Sequence, residues 1–243
     1  MTVAVISPHL DDAVLSVGAT IHNLTQRGDD VEVITLFAGD PARPGAPSYW
    51  DKPRRAATSA DVIRERRAED QQACDLLGVK PVWLPFDEEA VLAKRDPDAM
   101  WDTLGPLLQT ASLVMLPGWP LDHADHRYAT TLVLDRLPKH QPVMFYGELP
   151  TARSATAIVK SLTRGKALPW LLHALGDEMR WFTPQLSRRD VDAKMRAIAA
   201  YPGEVIALGL SARPRSLQRF AFQRELLAHR ASQAPDQRFA TRS

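Results

Sequence analysis

The sequence predicts an α/β domain built on a mostly parallel sheet, and three observations predict it. Short apolar runs alternate with longer amphipathic runs through the first 150 residues. Gly28 and Gly78 fall where two of the amphipathic runs should stop, as glycines at helix C-termini do. The chain has 243 residues, 45% apolar and 24% charged, so one large domain can bury a sizeable core.

The first strand is expected at Val3–Ile6, an uninterrupted apolar run of the kind a strand covered on both faces shows. Asp12–Arg27 follows as a helix, with apolar residues near helical spacing from Val14 to Leu24. A second strand at Val31–Phe37 leads into Ala38 to Thr58, a segment broken by Pro41, Pro44, Pro47 and Pro53. A loop of that length in a compact domain is more often functional or mobile than incidental, and Tyr49-Trp50 are its candidates for a lid. Helices at Ala60–Leu77, Ala99–Thr110 and Arg127–Leu137 then alternate with strands at Pro81–Pro85, Leu113–Leu116 and Val143–Tyr146. That order reads as right-handed βαβ units.

Residues 1–150 form the expected core, and 151–230 a smaller C-terminal α/β portion of the same domain. In that portion Ala155–Leu175 reads as partly helical and basic, and Glu178–Phe182 as a strand. Arg189–Ala200 reads as a helix ended by Pro202-Gly203, and Leu217–His229 as a last helix. The polar tail, 231–243, is expected to be flexible.

Thirty basic against 29 acidic side chains leave a formal charge of +1, which argues against broad nucleic-acid binding. A single cysteine, Cys74, excludes an intrachain disulfide and a cysteine zinc cluster. It sits in a helical stretch and is expected to be a buried structural thiol. The strand-like run at Val3 leaves no room for a signal peptide, and no stretch reaches the roughly 20 apolar residues of a membrane span. The expected location is therefore the cytoplasm, with no membrane partner.

The chemistry concentrates in two short clusters. Ser7-Pro8-His9-Leu10-Asp11-Asp12 lies on the turn from the first strand to the first helix. Asp122-His123-Ala124-Asp125-His126-Arg127 follows the fourth strand and opens the next helix. Both are carboxyl-edge positions, where open α/β sheets bind ligands, and strands one and four can be neighbours at the switch point. Two imidazoles and one carboxylate make a catalytic zinc set that leaves a position for water. The remaining acid and histidine supply a base and an electrostatic or proton-donating partner. His123 and His126, three apart at a helix start, can face one side. Asp11 and Asp12, being adjacent, must point differently. One can ligate metal while the other handles protons. Taken singly, the acids could be helix caps and the histidines part of a polar loop. Two histidines and a carboxylate also make a ferrous facial triad. A non-catalytic Rossmann-like binder is the remaining class, but the first turn has no Gly-x-Gly-x-x-Gly, and Gly18 stands alone.

At these residues the chain resembles the PIG-L (LmbE-like) zinc-dependent N-deacetylases. That family carries His-Pro-Asp-Asp-Glu after its first strand and His-x-Asp-His after a later one. Here they read His9-Leu10-Asp11-Asp12-Ala13 and His123-Ala124-Asp125-His126. Arg67-Ala68-Glu69-Asp70, Phe37-Ala38-Gly39 and the stretch from Lys194 to Tyr201 add weaker likenesses, over residues 3 to 205 in all. The resemblance implies a Rossmann-like three-layer fold and hydrolysis of an N-acyl group, usually acetyl, from an amino sugar, free or in a small glycoside or conjugate. A thiol-sugar conjugate is the neighbouring alternative. It also implies Zn2+ on His9, Asp12 and His126, with Asp11 as general base. His123 would act on the oxyanion or the leaving amine, with Asp125 beside it to hold its tautomer. Leu10 in place of proline removes no ligand, whereas Ala13 removes whatever the family's glutamate does. Oligomeric state is not implied.

Asp87 after the third strand and Asp40 after the second sit at the same edge and could accept sugar hydroxyls; a helix cap is the plain alternative for Asp87. Trp119 could stack on a sugar ring or pack in its loop. Glu148, at the end of the fifth strand, could line the pocket. Arg64, Arg66 and Arg67 alternate with acids and read as a solvated, salt-paired face, with a substrate contact by one of them as the second reading.

Overall fold

The structure, a computed structural model, describes residues 1–48, 51, 54, 56–88, 95–149, 178–209, 211–212, 214–233 and 239. Seven strands form one sheet in the order β3-β2-β1-β4-β5-β7-β6. They are β1 (Thr2–Ser7), β2 (Asp30–Thr35), β3 (Lys80–Trp83), β4 (Leu113–Trp119), β5 (Val143–Gly147), β6 (Met179–Phe182) and β7 (Leu227–Arg230). The first five pair in parallel; β7 runs antiparallel between β5 and β6. Among the described residues the helices are α1 (Asp12–Gln26), α2 (Ser59–Leu77), α3 (Pro97–Gln109), α4 (Ala124–Arg136), α5 (Arg188–Ile198), α6 (Pro202–Ala207) and α7 (Arg215–Phe222).

The alternation of β1 divides the core into two layers. Val3 and Val5 face α1, α2 and α5, where Val14, Ile21, Leu77 and Ala197 meet them. Ala4 and Ile6 face α3 and α4, where Leu104, Leu108 and Val133 meet them. This is the expected three-layer arrangement, and its chain order reverses between β1 and β4. Val3, Ala4 and Val5 pair directly with Leu113, Val114 and Met115. The carboxyl ends of β1 and β4, with both clusters, therefore lie side by side.

Gly78 ends α2 in the left-handed conformation (φ 70°), the geometry its position in the sequence predicts. Gly39 serves a different purpose. Its N–H donates to Phe86 O at 2.8 Å, and a Cβ there would meet Pro85 O at 2.4 Å. Only a glycine lets the loop after β2 lie against the loop after β3. Cys74 is buried in the core and burial pushes its thiol pKa up, as a structural thiol requires.

Three expectations are corrected. Leu217–His229 is not one helix: α7 stops at Phe222 and Leu227–Arg230 is a strand. Leu227 and Ala228 are consecutive and both buried, because β7 lies inside the sheet with both faces covered, so no alternation marks it. Pro202-Gly203 does not merely stop a helix. Pro202 opens α6, its fixed φ being ready-made for a first helical turn. The second strand stops at Thr35, and Leu36-Phe37 run on to bridge Pro85. The expectations for Tyr49-Trp50 and for Ala155–Leu175 lie outside the described residues, as does most of the tail; Phe239 within it is buried in the core. Among the described residues no helix is long and apolar enough to cross a membrane.

Candidate active site

The turn after β1 is tied by its own small residues. The Ser7 hydroxyl donates to His9 O at 2.6 Å, and the Ala13 N–H donates back to Ser7 Oγ at 3.0 Å. Leu10 is buried with Ala38, Ile63 and Trp83, which anchors the turn from the side. Asp11 occupies the N-cap of α1 but makes no capping hydrogen bond, so the plain cap reading fails for it. Its neighbour Asp12 turns the other way, and Asp12 Oδ2 accepts the His9 N–H at 2.9 Å. Adjacent acids do point differently, as their spacing requires.

The turn after β4 is tied by longer residues. Arg127 Nη1 donates to the carbonyls of Leu121 (2.6 Å) and Asp122 (2.8 Å). His123 is the N-cap of α4, its Nδ1 accepting the Asp125 N–H at 3.2 Å. Asp125 and His126 then fall in the first turn of α4, on the side that faces β1.

Three atoms converge. His9 Nδ1 and Asp12 Oδ2 are 3.2 Å apart, His126 Nε2 and Asp12 Oδ2 3.2 Å, and His126 Nε2 and His9 Nδ1 3.3 Å. A tetrahedral ion with ligands at about 2.0–2.1 Å separates them by about 3.3–3.4 Å, so this triangle has the dimensions of one face of such a polyhedron. His9, His123 and His126 also offer ring nitrogens that lie within 4.8 Å of one another. The Asp12 triangle differs from it in supplying a negative charge, which three neutral rings do not.

The opposite ring nitrogen of each histidine meets a carboxylate. His9 Nε2 lies 3.1 Å from Asp125 Oδ2, and His126 Nδ1 lies 2.5 Å from Glu148 Oε1. Glu148 is itself held by the Leu121 N–H at 3.0 Å. Such carboxylates fix which nitrogen carries hydrogen and leave the other lone pair for a metal. Electrostatics agrees with that use. Burial opposes a charge on His9, yet Glu88, Asp12 and Asp125 push its pKa up to about 9. Burial likewise opposes a charge on His126, yet Asp12 and Glu148 hold its pKa well above the ordinary value. The same carboxylates favour a positive charge among the two rings.

Asp11 is buried, and burial, with Glu204 and Asp12 adding to it, raises its pKa well above the carboxylate range. The Arg66 guanidinium stands beside it, with Nη2 4.0 Å from Oδ1. His123 is exposed on the other side, and burial and the two neighbouring rings lower its pKa. A neutral ring whose Nδ1 accepts a hydrogen bond carries its proton on Nε2, free to donate.

Two expectations are corrected here. The Asp125 carboxylate does not hold His123. It faces His9 and the Arg95 guanidinium, and it is the Asp125 backbone N–H that sets the His123 ring. Nor is the charged face of α2 uniformly solvated. Arg64 pairs with Asp61 at the surface, but Arg66, its side chain only 11% exposed, donates to Glu88 at 2.8 Å, and Arg67 donates to Ala38 O at 2.7 Å. The periodicity of α2 could show Arg66 on one face but not that this face turns inward. The substrate candidates divide. Asp87 Oδ2 accepts the Ala42 N–H at 3.2 Å, and Asp40 is exposed and pairs with Arg67 at 3.2 Å. Trp119 ends β4 and packs against a cluster containing Leu15, Leu149, Ile198 and Phe222.

A model of the family described as GlcNAc-PI de-N-acetylase, PIG-L, matches residues 4–137 of the chain. A 2'-N-acetylparomamine deacetylase of Niallia circulans is 29% identical over 180 residues, 60% of this chain and 66%, just under two thirds, of that relative. Among solved structures, a deacetylase of the teicoplanin biosynthesis pathway has TM-score 0.72 at 23% identity, covering 96% of this chain and 100% of that one. The 4-carboxy-2-hydroxymuconate hydratase GalB of Pseudomonas putida has TM-score 0.59 at 16% identity, covering 98% and 99%. At such identities a likeness speaks to the fold, and the hydratase makes plain that the fold alone does not name a reaction.

Proposed function

The chain belongs to the PIG-L family, and on that premise we propose that it is a zinc-dependent N-deacetylase that removes an N-acyl group, acetyl foremost, from an amino sugar. The observation that carries this reading is the triangle of His9 Nδ1, Asp12 Oδ2 and His126 Nε2, with edges of 3.2–3.3 Å. In it these three residues hold the metal. A divalent zinc bound there supplies Lewis-acid polarisation of the amide carbonyl and lowers the pKa of a water toward about 7.

The chain's own groups do the rest. Asp11, a carboxyl whose pKa is raised and whose oxygens make no cap bond, takes the proton of the attacking water. His123 presents Nε2–H to the oxygen or nitrogen of the amide, where negative charge or a basic lone pair develops. Asp125 and Glu148 keep His9 and His126 in the needed orientation. Asp87 and Asp40, at the mouth, are the candidates for sugar hydroxyls.

The test is metal analysis of wild type and His126→Ala, followed by amine release from a panel of N-acetylglucosaminides and N-acetylated aminocyclitol glycosides. Stoichiometric zinc and amine release in the wild type, both lost in the variant, are expected. Equal zinc in both proteins removes His126 from the ligand set. Zinc without amine release from any member of the panel turns the reading to an amide in a larger sugar conjugate.

A further inference from the structure

We propose that Arg95 is a positioning residue for His9, acting through Asp125, and so sets how tightly the site holds its metal. The inference rests on the metal site proposed above. Arg95 Nη1 donates to Asp125 Oδ1 at 2.9 Å and Nη2 to Oδ2 at 3.3 Å, a two-pronged grip. Asp125 Oδ2 is also the oxygen that faces His9 Nε2 at 3.1 Å. Arg95, Asp125 and His9 thus form one line of contacts ending at His9 Nδ1, a corner of the ligand triangle.

The guanidinium cannot easily swing away. Its side chain is 5% exposed, its carbon lies 4.0 Å from the Phe37 ring centroid and 5.5 Å from that of Tyr128, and Nη2 also donates to Glu88 O at 3.1 Å. The Phe37 ring in turn lies 6.0 Å from the His9 ring. Arginine suits this place as lysine does not, because a planar fork matches both oxygens of a carboxylate while stacking on an aromatic face. With the fork in place Asp125 must offer an oxygen to Nε2, His9 must carry its hydrogen there, and Nδ1 is left to point at Asp12 and His126. Removing the fork leaves Asp125 free to turn about its own χ angles, and His9 loses its fixed direction. The motifs of the two turns do not include Arg95, which precedes α3 in a different loop.

The competing role is substrate contact, since Arg95 also lines a cavity of about 190 Å3 with Phe37, Phe86, Asp87, Asp96 and Met100. The experiment separates the two. Zinc affinity is measured by competition with a chromophoric chelator for wild type, Arg95→Met, Arg95→Lys and Asp125→Asn, and steady-state kinetics are run at saturating zinc. Arg95→Met is expected to bind zinc about ten- to a hundredfold more weakly, with KM unchanged. Arg95→Lys, reaching one oxygen only, recovers part of the loss. Because Arg95 acts through Asp125, the double variant Arg95→Met/Asp125→Asn is expected to bind zinc no more weakly than Asp125→Asn alone. Equal zinc affinity in wild type and Arg95→Met, or a raised KM with unchanged zinc affinity, overturns the proposal. Should Arg95→Met fail to fold, the same two readings are taken from Arg95→Lys. A wild type that binds no zinc overturns the metal site itself, a different result from a tight site that ignores Arg95.

Discussion

Helix α1 touches two buried charge clusters that follow opposite plans. At its N-terminus Asp11 and Asp12 join His9, Asp125, His126 and Glu148; Arg95 grips Asp125, while Asp12 and Glu148 face the imidazoles. Halfway along, α1 leaves helical geometry at Val17 (φ −129°, ψ 21°). Glu225 fills the break, accepting the N–H groups of Ala19 and Thr20, each at 2.9 Å, and the Thr20 hydroxyl at 2.5 Å. Lys194 Nζ completes it, donating to Glu225 at 2.8 Å and to Ser16 O at 3.0 Å. Both side chains have no exposure at all. In the second cluster the carboxylate has its ammonium, and the Ser16 carbonyl and the Ala19 and Thr20 amides have side-chain partners. In the first, His9 and His126 are driven toward the protonated state. The second cluster pairs fixed charges and holds the fold; the first sets two imidazoles between carboxylates, the arrangement that the proposed metal site uses.

The largest expected effect breaks the first cluster from within. Asp11→Asn should keep stoichiometric zinc and lose about 10²–10⁴-fold in turnover, because it removes a base and no ligand. Asp12→Asn should lose zinc first and activity with it. The pair is read by metal content beside kcat. If the two variants exchange these behaviours, the roles of the adjacent acids are reversed. If both keep zinc, Asp12 is no corner of the triangle.

The next effect belongs to the second cluster. Lys194→Met leaves the Glu225 carboxylate buried without its cation, and such a break costs about 3–5 kcal/mol of stability. Urea unfolding of the zinc-free protein is the measurement. The part that remains folded should still bind zinc at wild-type stoichiometry, since Lys194 touches no ligand. A folded Lys194→Met that has lost its zinc would mean that the break in α1 positions Asp12, and the two clusters would then be one device.

What was legible in the chain follows the same division. His9, Asp11 and Asp12, and likewise His123, Asp125 and His126, stand within four residues of each other, and strand-then-helix patterning places both groups at one sheet edge. Short-range signals of that kind survive in a sequence. Arg66 and Glu225 do not announce themselves. Arg66 alternates with acids on α2 exactly as a solvated residue would, in spacing if not in burial. Glu225 lies between α7 and β7, where the apolar residues Leu217, Phe220 and Ala221 continue helically toward Leu227 and hide the strand. Glu148 was visible as a pocket candidate, but its tie to His126 depends on β5 lying next to β4. Each of the missed contacts joins residues distant along the chain, and only the sheet order brings them together.

The smallest of the three effects sharpens the comparison inside the first cluster, between the histidines that carboxylates hold and the one that a backbone amide holds. An amide is harder to cleave than an ester, because its amine leaves poorly unless it gains a proton. Asp11 can return the proton it took from the attacking water, while the neutral His123 ring, its Nδ1 occupied by the Asp125 N–H, keeps a hydrogen on Nε2 to donate to the oxyanion. His123→Ala should therefore keep zinc, leave KM nearly unchanged and lose about a hundredfold in kcat on an amide. On an activated ester of the same acyl group, which forms the same oxyanion, it should lose a similar factor. Asp125→Asn should show the reverse profile. It leaves the backbone N–H, and so the His123 ring, in place, but disturbs His9 and should be read as weaker zinc binding. A much smaller loss on the ester than on the amide in His123→Ala would instead make His123 the proton donor to the leaving amine. A loss of zinc in that variant would bring His123 into the ligand set, and the wider three-histidine group would replace the triangle on Asp12.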